Sequence, residues 1–564
     1  MNAHLRCVVG LVTLLIPHLA LAQAAESPPF AVQISVDAAQ IKGDMRPIWR
    51  YFGADEPNYA YMKDGAKLIK ELGELGPQGA YFRAHNLLTT GDGTPALKWG
   101  STNAYTEDAS GKPIYDWTIV DRIIDTYRER NVRPYLQLGF MPEALSTKPE
   151  PYQHHWTPKA KYDEIYTGWA YPPKDYGKWA ELVFQWTKHN VDKYGKAEVE
   201  QWWFELWNEA NISYWRGTRQ EFHKLYDYTA DAVKRALPTA RIGGPETAGG
   251  PGGRFMTDFF EHCLRGTNAV TGKVGTPIDF LSFHAKGAPR FVDNHVRMGI
   301  ANQLRDIDNA FGVIAKYPEL KDKPIVIGES DPDGCAACQG PQLGYRNNTM
   351  YSSYTAASFA RKYELADRHG VNLEGALTWA FTFEDQPLFA GFRQLATGGI
   401  DLPVLNVFRM FGKMSGKRIA VHSSSAVDVD AMMKGGVRGA TPDVQALAAL
   451  DANRLAVMVW HYHDDDLPGP AAAIELSLAN LPATAAGATL RHFRIDHDHS
   501  NSYTAWQQMG SPQKPTAEQY AQLERAGQLA EVADAAKLTT EKGTATIRTS
   551  LPRQGVSLLV LEWK

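Results

Sequence analysis

The sequence predicts an α/β protein, a (β/α)8 barrel with a C-terminal β-sandwich, on three observations. Between residues 46 and 415, eight short β-branched or aromatic runs alternate with long helical patterns. After about Arg418, helical periodicity gives way to strand-like alternation, broken by turn-rich stretches such as Asn453-Arg454 and Asp464–Gly469. Two of the eight runs lead into glutamates: Trp202-Trp203-Phe204-Glu205-Leu206-Trp207 runs into Asn208-Glu209, and Pro324-Ile325-Val326-Ile327-Gly328 into Glu329.

In chain order, the candidate barrel strands are Ile48–Gly53, Ala80–Arg83, Pro134–Gly139, Trp202–Trp207, Arg241–Gly244, Asp279–His284, Ile325–Gly328 and Gly375–Trp379. The helices between them keep the 3.6-residue period. Val120, Ile123, Ile124 and Tyr127 share one face, and so do Trp179, Leu182, Val183 and Trp186. Cys263, in the helical segment Phe259 to Leu264, reads as a buried thiol. The candidate sandwich strands are Gln445–Leu450, Leu455–Tyr462, Ala473–Leu478, Thr489–Ile495, Thr546–Leu551 and Val556–Trp563. Phe30–Val36 also alternates, and a strand from it is expected to pair into the C-terminal sheet. The expected division is a signal segment over 1–22, an N-terminal segment over 23–45, the barrel over 46–415 and the sandwich over 416–564. The acidic run Asp464-Asp465-Asp466 reads as a solvated turn, not a metal site.

Composition narrows the class. Of 564 residues, 44% are hydrophobic and 22% charged, as in an ordinary globular protein. A net charge of −4 leaves no basic footprint for nucleic acid. The 15 Trp and 25 Tyr suit large cores, and equally suit stacking on the apolar faces of pyranoses. At the N-terminus, Arg6, the apolar stretch Val8 to Leu19 and the A-x-A site Ala20-Leu21-Ala22 form an export signal too short to span a bilayer. The protein is therefore expected to be exported, periplasmic or secreted, with no membrane partner. With Cys7 in the signal, Cys335 and Cys338 stand as a lone C-x-x-C. In an exported chain, such a pair is expected to form a disulfide stiffening the loop after Glu329, while zinc usually requires more ligands.

The chemistry rests on Glu209 and Glu329. They lie 120 residues apart (329 − 209), about three β/α units at ~40 residues each, which fits strands four and seven of a barrel. Facing strand ends can hold two carboxyl groups ~5–5.5 Å apart, the spacing retaining glycosidases need. One acid donates and recovers a proton; the other attacks the anomeric carbon. Asn208, beside the first, is placed to grip a sugar hydroxyl. Neither a metal nor an organic cofactor is expected. No G-x-S-x-G or H-E-x-x-H occurs to support a serine hydrolase or a zinc peptidase.

With these residues in view, the chain resembles glycoside hydrolase clan A, and within it family 39, which includes β-xylosidases and α-L-iduronidases. Asn208, Glu209 and Glu329 match the clan's strand-four and strand-seven positions. Tyr81-Phe82-Arg83-Ala84-His85, Gly139-Phe140-Met141-Pro142, Ser282-Phe283-His284, Trp379-Ala380-Phe381 and Asn501–Pro512 extend the likeness over most of the chain. The resemblance implies that Glu209 is the acid/base and Glu329 the nucleophile. It implies sugar-hydroxyl contacts for His85 and His284, and the floor of the sugar site for Trp379. Three departures stand out. Ala210 replaces a common Pro. Glu384-Asp385 follows Trp379 at altered spacing, with Glu384 carried over as a substrate contact. Lys286 stands where relatives often carry Tyr, able either to keep Glu329 ionised or to pair with an anionic substrate group.

The expected function is an exo-acting retaining β-xylosidase that trims xylose from the non-reducing ends of xylo-oligosaccharides. The alternatives are an iduronidase-like or arabinopyranosidase activity and, from another class, a non-hydrolytic carbohydrate-binding protein. Binding alone has no need of two opposed acids.

Overall fold

The computed structural model describes residues 28–563. The expected export signal and Cys7 lie outside the described residues. Eight parallel strands form one sheet in chain order: Tyr51–Ala54, Ala80–Ala84, Val132–Leu138, Trp203–Leu206, Arg241–Thr247, Phe280–His284, Ile325–Glu329 and Leu373–Ala376. They are numbered one to eight below. Strand eight closes onto strand one: Phe52 bridges Thr378, and the N–H groups of Ala376 and Thr378 donate to Ile48 O (2.8 Å) and Tyr51 O (2.9 Å). The sheet is a barrel, and each of the eight runs picked from the sequence overlaps one strand.

The flanking helices bury the faces their periodicity marks. Val120, Ile123, Ile124 and Tyr127 are the buried side of Thr118–Arg128, and Trp179, Leu182, Val183 and Trp186 that of Tyr176–Tyr194. Helix Phe255–Arg265 buries Cys263. Low in the barrel, aromatic rings plug the interior: Tyr51 stacks on Tyr81 (5.0 Å between centroids), and Trp203 meets Phe280 edge-on (4.8 Å). One layer above that apolar floor the inward positions turn polar, with Arg83 on strand two and Glu205 on strand four both fully buried.

A second, mostly antiparallel sheet has nine strands in the order Ala530–Lys537, Thr489–Ile495, Val556–Glu562, Arg454–Tyr462, Asp443–Asp451, Lys417–Ser423, Phe30–Asp44, Ala472–Ala479 and Ala545–Leu551. The N-terminal strand Phe30–Asp44 runs antiparallel to Lys417–Ser423 and parallel to Ala472–Ala479. Strand Arg454–Tyr462 shows why this sheet stays on the barrel. Leu455, Val457 and Val459 enter the sheet's own core, while Met458, Trp460 and Tyr462 point the other way into the barrel's hydrophobic core. Both faces are covered, so the strand reads as an unbroken apolar run.

Strand Ala530–Lys537 has four Ala in eight residues, a helix-type composition, yet it pairs with Thr489–Ile495; sheet pairing overrides local propensity. One sequence reading changes. The run Asp464-Asp465-Asp466 is not a solvated turn. Asp464 and Asp465 are buried because the loop packs on the hairpin after strand six. There Asp465 pairs with Arg297 at 2.5 Å and His295 at 3.2 Å, and Met298 N–H donates to Asp464 O at 2.7 Å.

Candidate active site

At the C-terminal end of strand four the chain turns sharply, with Trp207 at φ +67° and Glu209 at φ +41°. Left-handed backbone costs a non-glycine residue about 1–3 kcal/mol. The turn is held by Trp207 N–H donating to Leu138 O (3.1 Å), Glu209 N–H to Glu246 O (2.9 Å) and Trp207 Nε1–H to Tyr214 O (2.8 Å). The result points the Glu209 carboxyl across the barrel mouth toward Glu329, the last residue of strand seven. An oxygen of each acid and a ring nitrogen of His284 all lie within 4.8 Å of one another. That grouping has the spacing of a cation site, and the Lys286 ammonium already supplies the positive charge there. Its Nζ is 3.0 Å from Glu209 and 2.5 Å from Glu329.

The other predicted residues fall around this pair, with one exception. His284, ending strand six, places Nδ1 2.8 Å from Glu209 Oε1. Asn208 Oδ1 accepts from Arg83 Nη2 at 3.0 Å, whereas its buried Nδ2 has no partner. His85 has Asp55 Oδ1 at Nδ1 (2.7 Å) and the Arg83 guanidinium at Nε2 (3.2 Å). A guanidinium only donates, so Nε2 accepts and the ring proton sits on Nδ1. Burial, the largest effect on this ring, pushes its pKa down and favours the neutral form. Trp379 lies against His85 (4.3 Å between centroids) and under the Arg83 guanidinium (5.2 Å). Its ring fits because position 53 is glycine; a Cβ there would come within 2.5 Å of the indole. Glu384 has a different partner: its Oε1 accepts the Asp64 (2.9 Å) and Gly65 (2.7 Å) amides opening helix Lys63–Gly73. Cys335 and Cys338 are joined in a disulfide.

Four further groups complete the site. Arg83 is fully buried, 2.6 Å from Glu205 and 3.6 Å from Glu329. Glu246, on strand five, is 2.6 Å from His284 Nε2. Lys98 Nζ is 2.6 Å from Asp55 and 5.3 Å from the Tyr162 ring centre. Tyr162 and Tyr214 meet hydroxyl to hydroxyl at 2.8 Å, closing an aromatic wall with Phe140 and Trp169. A charged residue inside the apolar run at Glu205, and a third strand-ending acid at Glu246, were visible signals in the sequence. Nothing local marked Lys98 or Tyr162.

Charge balance explains how so many ionised groups stay buried. Burial opposes the charge on Glu209 and Glu329, but Lys286 and His284 outweigh it and hold both below the usual carboxylate range. Burial likewise opposes the His284 charge, yet Glu329, Glu246 and Glu209 push its pKa up to about 9. Arg83 and His284 overcome burial to hold Glu246 at about 2, whereas burial pushes the carboxyl of neighbouring Glu205 up. Arg83, His284 and Lys286 thus face Glu209, Glu246 and Glu329, each buried charge having an opposite one beside it.

Two acids opposed across a barrel mouth, beside a buried amide and an aromatic wall, are the equipment for splitting a glycosidic bond, and the protein is a glycoside hydrolase. Over residues 32–546 the chain matches the family described as glycosyl hydrolases family 39, and it belongs to that family. It is 25% identical to a β-xylosidase of Geobacillus stearothermophilus over 477 residues, covering 80% of each chain. It is also 25% identical to the α-L-iduronidase of Mus musculus over 567 residues, covering 94% of this chain and 80% of that one. Among solved structures, a monomeric β-xylosidase from Caulobacter crescentus CB15 superposes with a TM-score of 0.71 at 22% identity, over 94% of this chain and 99% of that one.

Proposed function

We propose that the protein is a retaining exo-glycosidase that releases β-D-xylose from the non-reducing ends of xylo-oligosaccharides, with Glu329 as nucleophile and Glu209 as acid/base. The observation that carries the mechanism is the placement of Glu209 and Glu329 on opposite sides of the Lys286 ammonium. Their oxygens lie within 4.8 Å, close to the ~5–5.5 Å separation of retaining carboxyl pairs and short of the ~6.5–9.5 Å that an inverting enzyme needs for a water.

Their surroundings support the division of roles. A sugar entering between the acids displaces Lys286. Glu329 keeps Arg83 at 3.6 Å and stays ionised, ready to attack. Glu209 loses its nearest ammonium, and burial then raises its proton affinity, as an acid requires. The unpartnered Asn208 Nδ2 is free to donate to a ring hydroxyl, and Trp379 offers an apolar floor. Proton NMR of the first-formed product tests the mechanism: retention is expected, and inversion would end it. Release of nitrophenol from a panel of aryl glycosides tests the sugar.

A second reading has a specific observation behind it. Lys286, 17% exposed, is a cation at the site mouth that could meet a substrate carboxylate once displaced, as in an iduronide. The xyloside is preferred because Lys286 already has a role that needs no anionic substrate, holding both carboxylates charged in the empty site. A further part of the proposal is export through cleavage after Ala22, which N-terminal sequencing of the mature protein checks.

A further inference from the structure

We propose that Glu246 is a positioning residue for the proton on Glu209. It holds His284 from behind, at Nε2, so that the other ring nitrogen hands its proton to Glu209 when an incoming sugar displaces Lys286. The inference rests on Glu209 being the acid/base.

A chain of contacts runs from the barrel interior to the reacting oxygen. Glu246 Oε2 lies 2.6 Å from His284 Nε2, an ion-pair contact with its angle off the hydrogen-bond line, and His284 Nδ1 lies 2.8 Å from Glu209 Oε1. Glu246 is fixed from every side. Its φ is +49°, its N-terminal neighbours are Gly244 and Pro245, and its carboxyl presses against Gly328 of strand seven, where no side chain fits. Tyr135 OH reaches its Oε1 at 3.3 Å, with the Arg83 guanidinium 4.0 Å away. His284 itself is fully buried. The charged or titratable groups packed around it are Glu209 from strand four, Glu246 from strand five, Glu329 from strand seven and Lys286 from its own loop. Arg83, Glu205 and Tyr135 lie behind Glu246.

Such a ring solves a problem that the resting site poses. With Lys286 between the two carboxylates, both are ionised, yet bond cleavage requires a protonated Glu209. When the ammonium leaves, the Nδ1–H bond of the imidazolium breaks and an O–H bond forms on Glu209 Oε1. The electron pair remains on Nδ1. The neutral ring keeps its Nε2 proton against the Glu246 carboxylate, which fixes the tautomer and leaves Nδ1 facing Glu209 as an acceptor. Glu209 then protonates the leaving oxygen and later takes a proton back from water, so each full turnover conserves the proton. When the site empties and Lys286 returns, the proton goes back to His284.

Nitrogen-15 NMR of histidine-labelled, substrate-free protein tests this directly. In the wild type, His284 is expected to carry protons on both nitrogens at pH 7. Glu246→Gln should lower its titration midpoint by at least about one unit, with Glu246→Asp falling between. In Glu246→Gln, the basic limb of kcat/KM for an aryl glycoside with a poor leaving group should move down in step. A shift of that size should lower the rate on the order of tenfold on the basic side of about pH 9 and little near neutrality, and an activated aryl glycoside should change far less. An unchanged His284 titration and pH profile in a folded Glu246→Gln would overturn the proposal. If neither variant folds, the wild-type spectrum decides alone, and an unprotonated Nε2 sinks it. Glu209→Ala separates the two readings: equal losses on poor and activated leaving groups remove the acid/base role, whatever His284 does.

Discussion

The barrel mouth and the loop just beyond strand seven both bury charge, and they do so in opposite ways. In the loop, Arg346 spends all its donors. Nε and Nη2 reach Asp333, and the remaining hydrogen bonds go to the carbonyls of Cys335, Ala336, Cys338 and Gly391. Asp333 also accepts from the Cys335 amide, the Tyr345 hydroxyl and Arg393. At the mouth, by contrast, Asn208 Nδ2 has no partner, Lys286 is partly exposed, and Trp207, Glu209 and Glu246 hold left-handed backbone. The Arg346–Asp333 pair, with every polar atom of both side chains bonded, has nothing left to offer a ligand and holds the loop together. An unsaturated, strained cluster keeps contacts in reserve for a substrate.

The largest effect that would sharpen this contrast is at the mouth. Glu329→Ala should reduce turnover by several orders of magnitude, with azide or formate restoring part of it, while thermal unfolding shows the fold intact. Removing this acid relieves no buried cation of its only partner, since Arg83 keeps Glu246 at 4.0 Å beside its contact with Glu205, and Lys286 keeps Glu209. A variant that loses fold and activity together would break the comparison.

The loop should respond the other way. Arg346→Met takes a donor from Asp333 and from each of four carbonyls and should cost about 3–5 kcal/mol in denaturant unfolding, with kcat/KM nearly normal below the transition. Burial opposes the Asp333 charge, but Arg346 and Arg393 hold its carboxyl below the usual range. A lowered folded-state pKa contributes stability above the ordinary carboxylate value of 3.8 that is lost as pH falls further, so Arg346→Met should flatten the acid limb. His284 has the opposite sign. Raised from 6.5 to about 9, it contributes fully below 6.5 and loses its contribution as pH rises through 9.

Lys286→Tyr probes the reserve at the mouth. Substantial activity on an aryl xyloside should survive it. On an aryl iduronide, loss of a charge-assisted contact would cost roughly 1.5–3 kcal/mol. Faster wild-type hydrolysis of the iduronide would transfer the proposed substrate to the uronides.

The smallest effect is expected at the disulfide. Arg346 already holds the Cys335 and Cys338 carbonyls, and the bond closes a loop with a sequence separation of only 3. Changing both cysteines to serine should cost no more than about 2 kcal/mol. A larger loss in chemical unfolding would mean that the loop depends on the bond and not on the arginine.

How much of this was legible depends on whether the signal was local. The eight barrel strands and the two helix faces were, because burial writes its period into neighbouring residues. Asn208, Glu209 and Glu329 were legible as strand-ending polar residues after apolar runs. Glu246 carries a similar signal, but the apolar pattern stops at Gly244, whereas the strand runs on to Thr247 and includes the acid. The family resemblance carries Glu384 over as a substrate contact in spite of its altered spacing past Trp379, and its carboxylate meets the amides that open helix Lys63–Gly73. Spacing along a loop says little about which neighbour the loop will meet.

By itself the sequence determined the barrel, the second sheet and the two opposed acids, since each follows from residue periodicity or from a polar residue closing an apolar strand. The partners of those acids were decided only by the tertiary structure. Lys286 reaches both carboxylates, His284 joins Glu209 to Glu246, and Arg83 joins Glu205 to Glu329 because closing the barrel turns side chains at the ends of strands two, four, five, six and seven toward one mouth, where they meet pair by pair. Electrostatic energy depends on distance through space, and the chain order of these residues carries no record of it.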